Sequence, residues 1–195
     1  MLGLFVRRGF LDAPLCARLR EQMRSAERNR ATVRQQGSEY AVDPGVRRVD
    51  WAVPPEASIA EVESRLAAIR PEVERHFRIP LAGHQPPQFL AYREGDFYVA
   101  HRDSTDEPDA AQTPKVRRVS VVVFLNDQAQ EKQDDCYGGG SLTFYGLMAD
   151  PRSRSTGFPL AGEEGLLVAF RSETVHEVTP VTWGERYTIA SWFFP

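Results

Sequence analysis

The sequence predicts a mainly antiparallel β fold, a sandwich, jelly roll or barrel, carried by the C-terminal half and braced by N-terminal helices. Three observations point there. Residues 86–195 hold six short runs rich in β-branched and aromatic residues, separated by turn signals and with no helical pattern between them, which argues against a parallel sheet built from βαβ units. Residues 1–80 carry two amphipathic helical stripes that need an apolar partner, and the strand-rich half is the candidate. At 195 residues, 42% hydrophobic and 26% charged, the composition is that of an ordinary globular chain. The expectation is one domain over 1–195, with 1–85 as a helical support region and 86–195 as a β core.

Asp12 is a good N-cap and Pro14 sits in the first turn, where its missing N–H costs nothing. Leu15, Leu19, Met23 and Ala26 then form one apolar stripe, so a helix is expected that ends before Asn29. A second helix is expected to open on a capping box, Ser58-Ile59-Ala60-Glu61. Its stripe is Ile59, Val62, Leu66, Ile69, Val73 and Phe77, with Pro71 predicting a kink or break near Ile69. The expected strands are 88–93, 118–126, 141–145, 165–170, 175–181 and 186–194. Turn signals lie at Glu94-Gly95-Asp96, Gly138-Gly139-Gly140, 162–165 and Trp183-Gly184. Three longer loops, 104–116, 127–140 and 147–162, could form the mouth of a barrel.

No stretch reaches 18 apolar residues, which argues against a helical membrane span. Arg7 and Arg8 interrupt the mildly apolar start, so no signal peptide is expected. Cys16 and Cys136 are too few for a disulfide framework; free thiols in a reducing cytoplasm are expected. The net charge of −3 argues against bulk nucleic-acid binding. Residues 1–50 hold ten arginines against six acidic residues, read as the solvated face of a helix.

The chemistry concentrates in Tyr92–Asp103. In an extended backbone, residues two apart share a face, so His101 and Asp103 converge while Arg102 turns away. His176 lies in a later expected strand. Two histidines and a carboxylate form the facial triad of non-haem Fe(II) oxygenases, which leaves three positions open. His76 and His84 are assigned no metal role. On the last strand Arg186, Thr188, Ala190 and Trp192 share one face. A guanidinium facing a barrel interior is expensive unless it meets an anion, and a carboxylate gripped in two places is the natural solution.

Taken together, the residues resemble the prolyl 4-hydroxylase-type branch of the Fe(II)/2-oxoglutarate-dependent dioxygenases over Pro87 to Pro195. The resemblance rests on Tyr92-x-x-Gly95-x-x-Tyr98-x-x-His101-x-Asp103, then Arg118-Val119-Ser120 leading to Leu125-Asn126, then Gly138 to Phe144, then Gly165 to Phe170, and finally His176-Glu177-Val178-x-Pro180 with Gly184-x-Arg186-Tyr187. It implies a double-stranded β-helix, a jelly-roll barrel with packing helices. It implies His101, Asp103 and His176 as iron ligands and catalytic centre, and Arg186 as the binder of the distal carboxylate of 2-oxoglutarate. Tyr92 resembles a residue lining the cosubstrate pocket, and Tyr98 one near metal and substrate. Some members carry a tyrosine just before the Leu-Asn pair that also bonds the distal carboxylate; here that position is Phe124, which leaves Thr188 or Tyr92 to assist Arg186. Val46-Arg47-Arg48-Val49-Asp50 is loosely similar to a segment that covers the active site in relatives, and reads equally well as a surface turn after Pro44-Gly45. Arg47, Tyr98 and Trp192 are the candidate substrate-binding residues.

The implied activity is hydroxylation of an unactivated C–H bond, with 2-oxoglutarate decarboxylated to succinate and CO2 and dioxygen as the oxidant. Fe(II) is the implied metal and ascorbate an optional reductant. Asp103 favours hydroxylation over halogenation, because the related halogenases have a small residue there. The substrate is a small molecule or a peptide. Two alternatives remain at this level: a non-catalytic metal- or ligand-binding barrel, and a cupin-type metalloenzyme that does not use 2-oxoglutarate. The intact His101, Asp103, His176 and Arg186 argue against the first; a dispensable Arg186 would mark the second.

Overall fold

The computed structural model describes residues 3–31, 33–34, 40–41, 43–104, 117–147 and 151–195. Most of the 104–116 loop and the start of the 147–162 loop lie outside the described residues. Two helices are formed, α1 (Ala13–Ser25) and α2 (Glu56–Phe77). Asp12 caps α1 by accepting a hydrogen bond from the Leu15 amide at 2.9 Å. The face of α1 carrying Leu15, Cys16, Leu19 and Met23 is buried. Arg20 is buried on the same face, where it donates to the Leu125 carbonyl and pairs with Glu164.

Helix α2 departs from expectation at both marked points. It begins at Glu56 behind Pro55, with no side-chain cap, and Ser58 is buried one turn inside. The capping box is therefore not the helix start. Pro71 lies within a continuous helix. Ala67, whose carbonyl loses its partner at Pro71, is exposed, so water can replace the missing bond.

The described strands include β1 (Leu4–Arg7), β2 (Arg28–Arg30), β3 (Asp50–Ala52), β4 (Gln88–Tyr92), β5 (Tyr98–His101), β6 (Val119–Phe124), β7 (Tyr137–Gly139), β8 (Leu142–Tyr145), β9 (Phe158–Leu160), β10 (Leu167–Arg171), β11 (Val175–Val178), β12 (Val181–Gly184) and β13 (Arg186–Phe194). The major sheet runs β1-β10-β6-β13-β4-β3-β2, with the short segment Gly83–His84 also paired to β13. The minor sheet runs β9-β8-β11-β5, and β7 pairs with β12. All these pairings are antiparallel.

The reading of residues 1–85 as a helical support region needs correction. β1, β2 and β3 come from that region and lie in the major sheet. Their runs are only three or four residues long and each carries an arginine or an aspartate, so they lack a strand signature of their own; backbone pairing with β10 and β4 makes them strands. The Gly138-Gly139 turn signal likewise falls within β7, and Val175–Val181 divides into β11 and the start of β12.

Strand alternation divides the interior into two layers. Val119, Val121, Val123, Leu167, Ala169, Tyr187, Ile189 and Phe193 pack with the buried stripes of α1 and α2. Their alternating neighbours Phe124, Val168 and Phe170, with Leu90 and Tyr92, pack against Leu142, Phe144 and Val178 of the minor sheet. Arg186, Thr188 and Trp192 fall on this second, inter-sheet face.

Candidate metal centre

His101 ends β5 and His176 lies in β11. The antiparallel register of those strands puts the two residues directly opposite each other. Their rings have centroids 4.2 Å apart. Asp103 follows two residues after His101, and its amide donates to the Ser172 carbonyl at 2.9 Å. Asp103 Oδ1 lies 3.7 Å from His101 Nε2, and Oδ2 lies 3.5 Å from His176 Nε2. One donor atom from each of the three lies within 4.8 Å of the others.

The backbone sets the orientation of both imidazoles. His101 Nδ1 lies 2.8 Å from the Val99 carbonyl and His176 Nδ1 lies 2.9 Å from the Thr174 carbonyl. A carbonyl only accepts, so each Nδ1 carries the proton and each Nε2 presents a lone pair to the centre. Burial, reinforced by the neighbouring His176, pushes the His101 imidazolium down to about 4, so the ring is neutral near pH 7. Burial alone would raise the Asp103 carboxyl. The two histidines, with hydrogen bonds from Ser120 and Trp192, outweigh it and hold the group below the usual carboxylate range. Two imidazoles with Nε2 toward the centre and one ionised carboxylate form the donor set that suits Fe(II). Among the described residues this is the cluster of three such donors that could hold an ion.

The same cavity is lined by His101, Asp103 and His176 together with Tyr92, Arg186 and Thr188, and by Leu90, Val121, Leu142 and Val178. Arg186 is 1% exposed. Its Nη1 donates to Thr188 Oγ1 at 3.2 Å, and its guanidinium lies 4.9 Å from the centre of the Tyr92 ring and 5.2 Å from that of Phe124. Arg186 Nε has no hydrogen-bond partner among the described residues. A buried cation with neutral hydroxyl partners and aromatic neighbours suits an anion, so the residues present fit a dicarboxylate as well as a metal.

The sequence-derived substrate residues also reach this cavity. Tyr98 stacks on His101 with ring centroids 3.6 Å apart, and the Arg47 guanidinium lies 4.8 Å above the Tyr98 ring. Arg47 lines the cavity, whereas Arg48 is exposed and donates to the Pro44 carbonyl. Trp192 lines the cavity too, but it also donates to Asp103, which makes it a support of the ligand set. His76 and His84 lie among aromatic rings away from the centre.

Sequence reasoning missed Ser120, Ser172 and Tyr137. Ser120 shares its face of β6 with Phe124, which was a usable parity signal, and its hydroxyl meets both Asp103 and the Ser172 hydroxyl. Ser172 sits in an unremarkable turn, and nothing local marks it. Tyr137 precedes three glycines that read as a turn.

Comparison with known proteins agrees with this geometry. The family model described as 2OG-Fe(II) oxygenase superfamily matches residues 87–194. A PKHD-type hydroxylase of Teredinibacter turnerae is 32% identical over 110 residues, covering 55% of this chain and 42% of that protein. A PKHD-type hydroxylase of Sphingopyxis alaskensis is 35% identical over 106 residues, covering 52% and 40%. The chain thus spans about two fifths of the length of these curated relatives. A Pseudomonas putida prolyl-4-hydroxylase superposes with a TM-score of 0.72 at 26% identity, covering 100% of this chain and 94% of the other. A Trichoplax adhaerens prolyl hydroxylase, solved with a hypoxia inducible factor peptide fragment, superposes at 0.68 with 19% identity, covering 100% and 84%. The fold is therefore the double-stranded β-helix with packing helices that the sequence implied.

Proposed function

Because this chain belongs to the 2OG-Fe(II) oxygenase superfamily, we propose that it is an Fe(II)- and 2-oxoglutarate-dependent hydroxylase that acts on a peptide, with a prolyl side chain as the first candidate. The observation that carries the reading is the joint occupancy of one cavity by a two-histidine, one-carboxylate set and a buried arginine without an anion. The similarity to the Pseudomonas putida prolyl-4-hydroxylase supports the choice of substrate class.

In this reading His101, Asp103 and His176 hold the metal through Nε2, a carboxylate oxygen and Nε2. When bound, Fe(II) supplies the redox chemistry that couples decarboxylation of 2-oxoglutarate by dioxygen to hydroxylation of a C–H bond. The Val99 and Thr174 carbonyls keep the Nδ1 protons in place, so both lone pairs face the metal without rearrangement. Ser120 and Trp192 fix the Asp103 carboxylate. Arg186 grips the distal carboxylate of 2-oxoglutarate, Thr188 holds one arm of the guanidinium, and Tyr92 supports it by its ring face. Leu90, Val122, Leu142 and Val178 keep water away from the reacting centre. Tyr98 and Arg47, stacked over His101, are the substrate-facing residues, with Trp192 beside them. Burial pushes the Tyr98 phenol up, so it meets the substrate as a neutral donor.

The support for one domain over 1–195 is a single core cluster with members from Leu11 to Phe193. The two free thiols support a reducing, cytoplasmic setting. No helix of the described residues is long and apolar enough to cross a membrane. The test is turnover of 2-oxoglutarate with Fe(II) against prolyl peptides and free amino acids, read as succinate and as gain of one oxygen atom by the acceptor. Succinate formation stimulated by a prolyl peptide supports the reading. Stimulation by a free amino acid alone replaces the substrate class, and a wild-type protein that forms no succinate with any acceptor contradicts the activity.

A further inference from the structure

Among the described residues two buried polar atoms near each other, Tyr137 Oη and Arg186 Nε, make no hydrogen bond of full geometry. Tyr137 is fully buried at the start of β7, which pairs with β12 just before Arg186 in the chain. Its phenol oxygen stands close enough to the Arg186 guanidinium to accept a hydrogen bond from it, which leaves the phenol's own O–H without an acceptor among the described residues. The space that holds it is cut by two glycines. A side chain on Gly140, which has φ +60°, would meet the Arg186 Cδ at 3.0 Å and the Tyr137 ring at 3.2 Å. One on Gly162 would strike Tyr137 Oη at 2.1 Å and the Phe124 ring at 2.7 Å. The phenol is thus placed near both Arg186 and Phe124, a residue with no hydroxyl of its own. Desolvating an O–H with nothing to bond is unfavourable, and the arrangement makes sense if a ligand atom completes it.

We infer that Tyr137 is part of the cosubstrate site: its hydroxyl accepts from Arg186 and donates to the distal carboxylate of 2-oxoglutarate, replacing from β7 the hydroxyl absent at Phe124. This rests on the reading of Arg186 as the carboxylate binder. The two orphan groups become satisfied together when the dicarboxylate enters, and the subsite then selects a 2-oxoacid with a second carboxylate.

The experiment is anaerobic calorimetric titration of 2-oxoglutarate into the Mn(II)-loaded protein, with no turnover involved. Tyr137→Phe is expected to weaken 2-oxoglutarate binding about tenfold while leaving Mn(II) affinity unchanged. Binding of 2-oxovalerate, which has a methyl group in place of the distal carboxylate, is expected to be equally weak in the wild type and the variant. Adding Phe124→Tyr to Tyr137→Phe is expected to restore much of the loss by returning the hydroxyl from the other side. If the wild type binds 2-oxoglutarate, Arg186→Ala loses it and Tyr137→Phe binds as tightly as the wild type, the role of Tyr137 is overturned while the proposed function stands. If the wild type takes up Mn(II) but binds no 2-oxoglutarate, both are overturned.

Discussion

Arg186 brings a positive charge onto the inter-sheet face of a β-sandwich, and its worth depends on what it meets there. With the neutral Thr188 hydroxyl and Tyr137 phenol as its hydrogen-bonding neighbours, its natural counter-charge is the cosubstrate. Arg186→Ala is expected to raise the KM for 2-oxoglutarate ten- to a hundredfold, from the roughly 1.5–3 kcal/mol of a charge-assisted pair. Arg186→Lys should fall between, because lysine keeps the charge but loses the two-pronged geometry. An unchanged KM in steady-state kinetics would falsify the assignment. The cysteines make a separate expectation. Burial, with the Glu164 charge adding to it, pushes the Cys16 thiol up to about 12, whereas Cys136 is only half-buried. Iodoacetamide near pH 8 should therefore modify Cys136 and spare Cys16 in the folded protein. The sign is that of a raised acid: Cys16 stays protonated and unreactive until the pH approaches 12 or the chain unfolds. Mass spectrometry showing Cys16 labelled first would contradict the packing of α1. At this scale the approach of His101 to Asp103 and of Arg186 to Thr188 was legible, because strand parity converts a spacing of two into a shared face. Tyr137 was not, since its partner Arg186 lies 49 positions away in sequence and its three following glycines mimic a turn.

At the scale of elements, the metal donors are positioned by strand register, not by any one strand. His101 and His176 meet because β5 and β11 pair antiparallel with the two histidines opposed, and no local pattern in either strand states that register. The helices were read more fully: Asp12 and the Leu15–Leu19–Met23 stripe located α1, and both survive in the structure. The start of α2 was misread because Ser58 is buried against the core and cannot serve as a cap, and of the kink or break expected at Pro71 the break does not occur, because that face of the helix is exposed. Pro71→Ala should stabilise the protein, since it restores the bond to Ala67 in a helix interior where proline is unfavourable by up to about 3 kcal/mol; a lower Tm would show that the proline is fitted to its site. The turn into β10 is less forgiving. Gly165 has φ +75°, and a Cβ there would sit 2.1 Å from the Leu11 carbonyl oxygen. The Gly165 carbonyl also receives the Phe10 and Leu11 amides. Gly165→Ala should lower the Tm strongly, by detaching the entry of α1 from the major sheet; thermal unfolding unchanged within a degree or two would refute that coupling.

At the scale of the whole molecule, the major sheet works as a partition. One face packs on α1 and α2 and is purely apolar over Val121, Val123, Ala169 and Ile189; the other carries Ser120, Arg186, Thr188 and Trp192 into the cavity shared with the minor sheet. The first face makes the second rigid enough to hold polar groups apart at fixed separations. Single strands from the N-terminal region extend this sheet, and they escaped detection because three-residue runs such as Arg28–Arg30 become strands only through their neighbours. On the proposed reading Asp103 would hold the metal together with His101 and His176, and a carboxylate in that place would favour hydroxylation over halogenation. Asp103→Ala should lose most of its Fe(II) at micromolar metal, read by metal analysis after gel filtration, and most of its hydroxylation with it. The most direct test of the assignment is turnover under heavy-isotope dioxygen with Fe(II), 2-oxoglutarate and a prolyl peptide. The expected result is one heavy oxygen in succinate and one in the peptide, in equal amounts; a product with chlorine, or one without oxygen from dioxygen, would contradict a 2-oxoglutarate-dependent hydroxylase.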